Sequence, residues 1–229
     1  MGVPTLDRIG QRVAAAGLTP RGAFHPITDD GVPSDPDGRA GETLLLLGFV
    51  GDSGWPAFSR SPEHGDGAAH PLDRWSRRVI DGLAAELGGW SLFPFSGPPY
   101  HPFQRWAMRA EPVHPSPLGL LIHPEYGLWH SYRGAIAFPT RLALPPRSQT
   151  ASPCLSCVDK PCLTACPVSA FSLAGYDVAA CGAHLQTTSG EDCMTGGCLA
   201  RRACPVGAGH RPRPAQTAFT MAAFRAARG

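Results

Sequence analysis

The sequence predicts an α+β chain in two parts, an N-terminal α/β domain over residues 1–148 and a C-terminal cysteine-rich domain over 149–229. Three observations predict it. All eight cysteines fall between Cys154 and Cys204. Helix-period and strand-length apolar segments alternate before them. Between the two lies Pro145-Pro146-Arg147-Ser148-Gln149-Thr150-Ala151-Ser152-Pro153, a linker by composition.

The N-terminal elements follow in order. Leu6, Ile9 and Val13 recur at helical spacing over 5–17, with Gly17 as the stop. Thr28 to Gly41 reads as loop. Thr43 to Val50 is a continuous apolar run of strand length, and Gly51 to His70 is a second loop. Pro71 to Leu87 is the strongest helix, with Pro71 in the first turn, Leu72, Trp75, Val79, Leu83 and Leu87 on one face, and Gly88-Gly89 ending it. Trp90 to Phe95 reads as a short strand and Pro102 to Ala110 as a short helix. Leu118–His123 and Leu128–Phe138 read as two strands of a β-hairpin, joined at Pro124-Glu125-Tyr126-Gly127.

Composition bounds the function classes. A formal charge of +2 provides no strong field, so neither nucleic acid nor membrane is expected as a partner. The start, Met1 to Arg8, lacks a basic region followed by an apolar run, and the longest apolar run, Leu44–Leu47 extended to Val50, is too short to span a bilayer. A cytoplasmic protein is expected. There, clustered cysteines are metal ligands or redox groups rather than disulfides. No dinucleotide fingerprint, P-loop or nucleophile elbow occurs, so nucleotide-driven and hydrolytic chemistry have no support.

The first cysteine run is Cys154, Cys157, Cys162, Cys166-Pro167, spaced C-x2-C-x4-C-x3-C-P. The second is looser: Cys181, Cys193, Cys198, Cys204-Pro205. A ferredoxin-like domain with two [4Fe–4S] clusters uses such runs, and the Cys-Pro thiol of each crosses to the other cluster. By that rule Cys154, Cys157, Cys162 and Cys204 hold one cluster, and Cys166, Cys181, Cys193 and Cys198 hold the other. Two all-cysteine zinc sites would want paired C-x2-C knuckles, of which only Cys154/Cys157 is one. A disulfide scaffold would want a secreted chain. Arg201, Arg202, Arg211, Arg213, Arg225 and Arg228, with no acid after Asp192, offset the clusters' negative charge. They form a plain basic tail or a docking surface for an acidic redox partner protein. The expected function is electron transport to a partner or bound cofactor; a cluster-bearing sensor is the remaining class.

The run Leu120-Leu121-Ile122-His123-Pro124-Glu125-Tyr126-Gly127-Leu128-Trp129, with Gly134-Ala135-Ile136, Cys162 to Phe171 and Tyr176 to Cys181, resembles the epoxyqueuosine reductase family. These are iron–sulfur and cobalamin oxidoreductases of tRNA maturation, related to reductive dehalogenases. Pro99-Tyr100-His101 is similar to that family's Asp-Tyr-His segment, with the aspartate lost. The resemblance implies a nitroreductase-like fold for the N-terminal domain, cobalamin over the first cluster, and tRNA as the partner of that alternative function. The family's first cysteine run is tighter than the x4 gap here. The family also places an acidic proton donor, a helix and a Gly-rich segment before the hairpin. Here Glu111 is the only acid in that region, and Pro112, Pro115 and Pro117 forbid the helix. Glu111 is the one candidate proton donor, and the expectation is that the clusters carry electrons while the chain does not itself reduce epoxyqueuosine. His101, His114, His123 and His130 crowd one region and could ligate a metal or cobalamin, though none pairs at a metal-ligand helix spacing. Tyr100 could contact a substrate, while Trp90 and Trp129 are expected in the core.

Overall fold

The computed structural model describes residues 5–172 and 175–227; Met1–Pro4 and the tail arginine Arg228 lie outside them. Helices and strands mix along the chain. It divides into two units, Met1–Pro112 with Ser131–Gln149, and Val113–His130 with Thr150–Gly229. The proline-rich linker marks the crossing after Gln149. The excursion of Val113–His130 into the second unit carries no such compositional mark.

In the first unit, α1 (Leu6–Ala15) begins where Thr5 Oγ1 accepts the Arg8 N–H at 3.4 Å, and it buries Ile9 and Val13. Gly17, at φ +82°, turns the chain away from it. Strand β1 (Thr19–Phe24) pairs antiparallel with β2 (Thr43–Val50) through a bulge between Pro20 and Ala23. The apolar run of β2 is buried from Thr43 to Phe49, as a strand covered on both faces requires. Two short helices, α2 (Trp55–Phe58) and α3 (Pro62–Gly65), occupy a stretch whose composition reads as loop. They form because Trp55 and Phe58 pack edge-on against His64, and Phe58 against Trp75. Helix α4 (Pro71–Leu87) has the expected bounds and ends at Gly88 in the left-handed region. It buries Trp75, Leu83 and Leu87 from the expected face and adds Ile80, while Leu72 and Val79 are half-buried. Strand β3 (Trp90–Leu92) and helix α5 (Phe103–Ala110) follow.

The chain then enters the second unit, where β4 (His114–Pro115) pairs with β5 (Leu121–Ile122), and returns along β6 (His130–Phe138). The sheet order of the first unit is β1-β2-β6-β3. The expected hairpin therefore does not form: β5 takes β4 as its partner, β6 sits between β2 and β3, and a single bridge joins His123 to Gly127. Gly134 to Phe138 are all buried. That pattern suits a central strand, whereas a hairpin arm would leave alternate residues in water.

The second unit is built from brief turns of helix: α6 (Pro153–Ser156), α7 (Pro161–Thr164), α8 (Val178–Leu185), α9 (Glu191–Gly196) and α10 (Leu199–Arg202), closed by the longer α11 (Pro214–Ala226). Strands β7 (Phe171–Ser172) and β8 (Gly175–Tyr176) pair between α7 and α8. Its core joins Leu118, Ile122 and Leu128 of the excursion to Phe171, Ala200 and Cys204. No helix among the described residues is long and apolar enough to cross a membrane. Because Ile122 is 1 % exposed in this core, Ile122→Ala is expected to lower the unfolding free energy by about 2–5 kcal/mol. Urea unfolding followed by circular dichroism checks it; a loss below about 1 kcal/mol would show that the excursion is not part of the core.

Candidate functional site

The eight cysteines are free thiols, and they gather into two groups of four. Cys154, Cys157, Cys162 and Cys204 line one small cavity with Ile122, Lys160 and Val206. Cys166, Cys181, Cys193 and Cys198 line another with Leu185 and His184. The grouping separates Cys166 and Cys204 from their own runs, as the crossover rule requires.

Local sequence explains how the thiols are presented. Pro153 and Pro161 each open a four-residue helix, so Cys154 and Cys162 sit in corresponding first turns. Ser152 Oγ accepts the Cys154 N–H at 3.4 Å. The x4 gap is taken up by Lys160, whose φ of 39° reverses the chain before Pro161 while its Nζ donates to the Cys157 carbonyl at 3.2 Å. In the second group, Cys181 lies on α8, Cys193 on α9, and Cys198 immediately precedes α10. Its sulfurs meet several backbone N–H groups: Ala170 with Cys166 at 3.4 Å, Leu199 with Cys193, and Ala200 and Arg201 with Cys198.

Burial pushes the Cys154, Cys162, Cys193 and Cys198 thiols up from the ordinary range, and neighbouring thiols of the same group push them further. Four thiolates in one such cavity therefore need positive charge among them. No group of three or more His, Cys, Asp or Glu side chains among the described residues is placed to clasp a metal ion. This donor set, all sulfur and in fours, fits iron–sulfur clusters.

The wall of the first group comes from the stretch with the family resemblance. Leu118, Ile122 and Leu128 pack with Cys204, and Cys154, Cys162, Cys166 and Cys198 lie against the same core. Gly127, at φ +57°, comes so close to the Val206 carbonyl that a Cβ would lie 2.0 Å from its oxygen, so only glycine fits. Arg201 Nε donates to the Leu128 carbonyl at 3.1 Å, and its guanidinium lies 4.5 Å from the centre of the Trp129 ring. The basic tail is thus partly structural. Arg201 is pinned there, Arg202 pairs with Asp192 at 2.5 Å, and Arg211 donates to the Arg202 carbonyl.

The histidines are mostly engaged in the fold. His123 Nδ1 accepts the N–H groups of Glu125 and Tyr126 at 3.1 and 3.2 Å, and its ring stacks on Tyr126. His130 Nε2 meets the Leu121 carbonyl at 3.0 Å. His101 stacks on Trp106, where burial pushes its pKa down. His114, on β4, has a buried Nε2 with no partner among the described residues. Tyr100 is exposed, Trp129 is buried, and Trp90 Nε1 donates to the Pro33 carbonyl at 3.2 Å.

Glu111 belongs to a separate site in the first unit. It follows α5 in extended conformation, and no helix forms over 112–117. Its Oε1 accepts Arg21 Nη2 at 2.9 Å and Nε at 3.2 Å, and Tyr132 donates its hydroxyl to the same oxygen. Burial outweighs the arginine and pushes the carboxyl up; burial also raises the Tyr132 phenol. Glu111, Asp7, Gln11 and Arg147 line a cavity of about 560 Å³. Arg21 and Tyr132 were not legible as partners, because the bulge that turns Arg21 inward is signalled only by its flanking Pro20 and Gly22. His184 also escaped notice, although its place three residues after Cys181 puts both on one helix face.

No family model and no curated protein matches the sequence. In structure the chain is similar to epoxyqueuosine reductases. One, with a tRNA-Tyr epoxyqueuosine-modified tRNA stem loop, shows a TM-score of 0.47 at 15% identity over 92% of this chain and 69% of that one. Another, from Bacillus subtilis with its catalytic loop swung out of the active site, shows 0.44 at 15% identity over 89% and 68%. The expectation that nucleic acid is no partner is corrected by the first of these, which holds a tRNA stem loop. Net charge averages over a whole chain, whereas a nucleic acid meets one local surface.

Arg21→Met leaves the Glu111 carboxylate buried without its cation and is expected to cost about 3–5 kcal/mol near neutral pH. Without Arg21 the carboxyl's folded pKa rises further above its unfolded value, so the folded state binds the extra proton as pH falls through that folded pKa. The deficit should therefore shrink toward acid pH. Urea titrations of both proteins across pH 4–8 check it; a deficit that grows on acidification would overturn the assignment.

Proposed function

We propose that the chain is an iron–sulfur oxidoreductase whose two thiol groups each hold one [4Fe–4S] cluster, and that it works as a reductase of the epoxyqueuosine reductase type. The single observation that carries the cluster reading is the sorting of eight thiols into two fours with Cys166 and Cys204 exchanged. The resemblance of Leu120–Trp129 and Cys162–Phe171 supports the reductase reading over that of a simple electron carrier. On this reading the first unit is nitroreductase-like, the second is ferredoxin-like, and a tRNA bears the substrate.

When bound, such clusters supply one-electron transfer. The chain's residues do the rest. Cys154, Cys157, Cys162 and Cys204 hold the first cluster, and Cys166, Cys181, Cys193 and Cys198 the second. Pro167 and Pro205 remove backbone donors and turn the chain away after the crossing thiols. Leu118, Ile122 and Leu128 give the first site an apolar wall. Reducing an epoxide to an alkene consumes two electrons and two protons and releases water, so an acid must reach the leaving oxygen. Glu111 is the candidate, and its raised pKa suits a proton donor.

The corrinoid that the resemblance implies has no comparable donor set among the described residues. Three of the four candidate histidines are engaged by backbone or ring contacts. No step is assigned to it. One observation favours the second reading, a carrier serving a redox partner protein: Arg21 and Tyr132 both already bond the Glu111 oxygen.

Anaerobically reconstituted protein is expected to hold about eight iron and about eight sulfide per chain. With corrinoid, a strong reductant and epoxyqueuosine-containing tRNA it should form queuosine, and Glu111→Gln should abolish turnover. About four iron, or zinc instead, would sink the two-cluster reading. Eight iron without turnover would sink the reductase and leave the carrier. Cys204→Ala and Cys157→Ala should alter the same EPR signal, and Cys198→Ala the other; if Cys204→Ala instead pairs with Cys198→Ala, the ligand sets are misassigned.

A further inference from the structure

We propose that His184 donates its Nε2–H to the cluster held by Cys166, Cys181, Cys193 and Cys198, and so raises the reduction potential of that cluster alone. The inference rests on the cluster reading and assigns a tuning residue within it.

Helix α8 puts the histidine there. Asp177 Oδ1 accepts the Ala180 N–H at 2.9 Å and fixes the start of the helix. Cys181 and His184, three residues apart, share a face, and both line the second cavity. The backbone of His184 is held in place as well. Its carbonyl accepts the N–H and the hydroxyl of Thr187 at 3.0 and 2.8 Å. Gly190 packs so closely against that carbonyl that a Cβ would lie 2.3 Å from the oxygen.

The ring nitrogen is the telling atom. His184 Nε2 is buried and meets no hydrogen-bond partner among the described residues. A buried ring nitrogen left unpaired is costly, and native structures rarely keep one; the Nε2–H tautomer is the one that can donate into this cavity. In a cavity ringed by four thiols, the partner that fits is a sulfur of an anionic cluster. Among the described residues the first cavity has no histidine in its lining, and Lys160 is its only polar side chain besides the thiols. The donor is therefore specific to one of the two sites.

Hydrogen bonds to sulfur set the potential of such clusters. The bond strengthens as the cluster gains an electron and negative charge, so it favours the reduced state. Other charged groups facing this site are Asp192 and Arg202, which act on Cys193 in opposite directions, and Arg201, which feels Cys198.

The test uses the full chain, reconstituted anaerobically, with the second cluster's EPR signal identified as the one that Cys198→Ala removes. In His184→Phe the reduction equilibrium of that signal is expected to fall about tenfold, 59 mV for a one-electron couple. The other signal should not move, and His184→Gln, which keeps an N–H donor, should recover part of the shift. Unchanged potentials, or equal shifts in both clusters, would overturn the proposal. Wild-type protein labelled with 15N-histidine gives a check that needs no variant. A weak 15N coupling with an exchangeable proton on the second signal is expected, whereas no coupling, or one strong enough for direct ligation, would overturn it. Failure of the underlying reading is recognised separately, by wild-type protein that does not carry the second cluster at all.

Discussion

The second unit depends on closing a ring of four thiols from parts far apart in sequence. Short helices opened by Pro153 and Pro161 present Cys154 and Cys162, but neither helix has a core of its own. Cys204 must come back to meet them, and the backbone after it is seated against Gly127. Leu118, Ile122 and Leu128 then supply the apolar wall that this small unit could not make from its cysteine-rich part alone.

A similar dependence organises the charged site of the first unit. The bulge in β1 turns Arg21 inward, where its side chain is fully buried. Gly22 lies so close to the Ala110 carbonyl that a Cβ would be 2.6 Å from its oxygen. Only with that approach does the residue after α5, Glu111, reach the guanidinium. A buried guanidinium and carboxylate are tolerated because each satisfies the other and Tyr132 adds a donor.

The sequence was legible where one pattern dominated. The apolar run of β2 and the single face of α4 give both elements their full bounds, and the cysteine spacing with the crossover rule anticipates both groups of four. It was misleading where two patterns overlapped. Leu128 to Phe138 read as one strand, yet Leu128 and Trp129 are buried in the second unit and Gly134 to Phe138 in the first sheet. The turn at Pro124–Gly127 looked like a hairpin because His123, which caps it through Nδ1, leaves no trace in a strand-length count. Strand β1 has no unbroken apolar run to mark it, because the bulge between Pro20 and Ala23 interrupts its register. The buried partners of Glu111 lie 90 residues before it and 21 after, beyond any local pattern.

On the proposed cluster reading, the exchange of Cys166 and Cys204 between the groups also separates the order in which the two ligand sets are begun from the order in which they are completed. A chain emerging from the ribosome exposes Cys154, Cys157 and Cys162 first, yet their fourth partner is the last cysteine made. The group that starts later, with Cys166, is complete as soon as Cys198 appears. The group begun first is thus the one whose four thiols are completed last. If each proposed cluster were loaded as soon as its four ligands had been made, iron would fill the second site before the first, opposite to the order in which the ligands are translated.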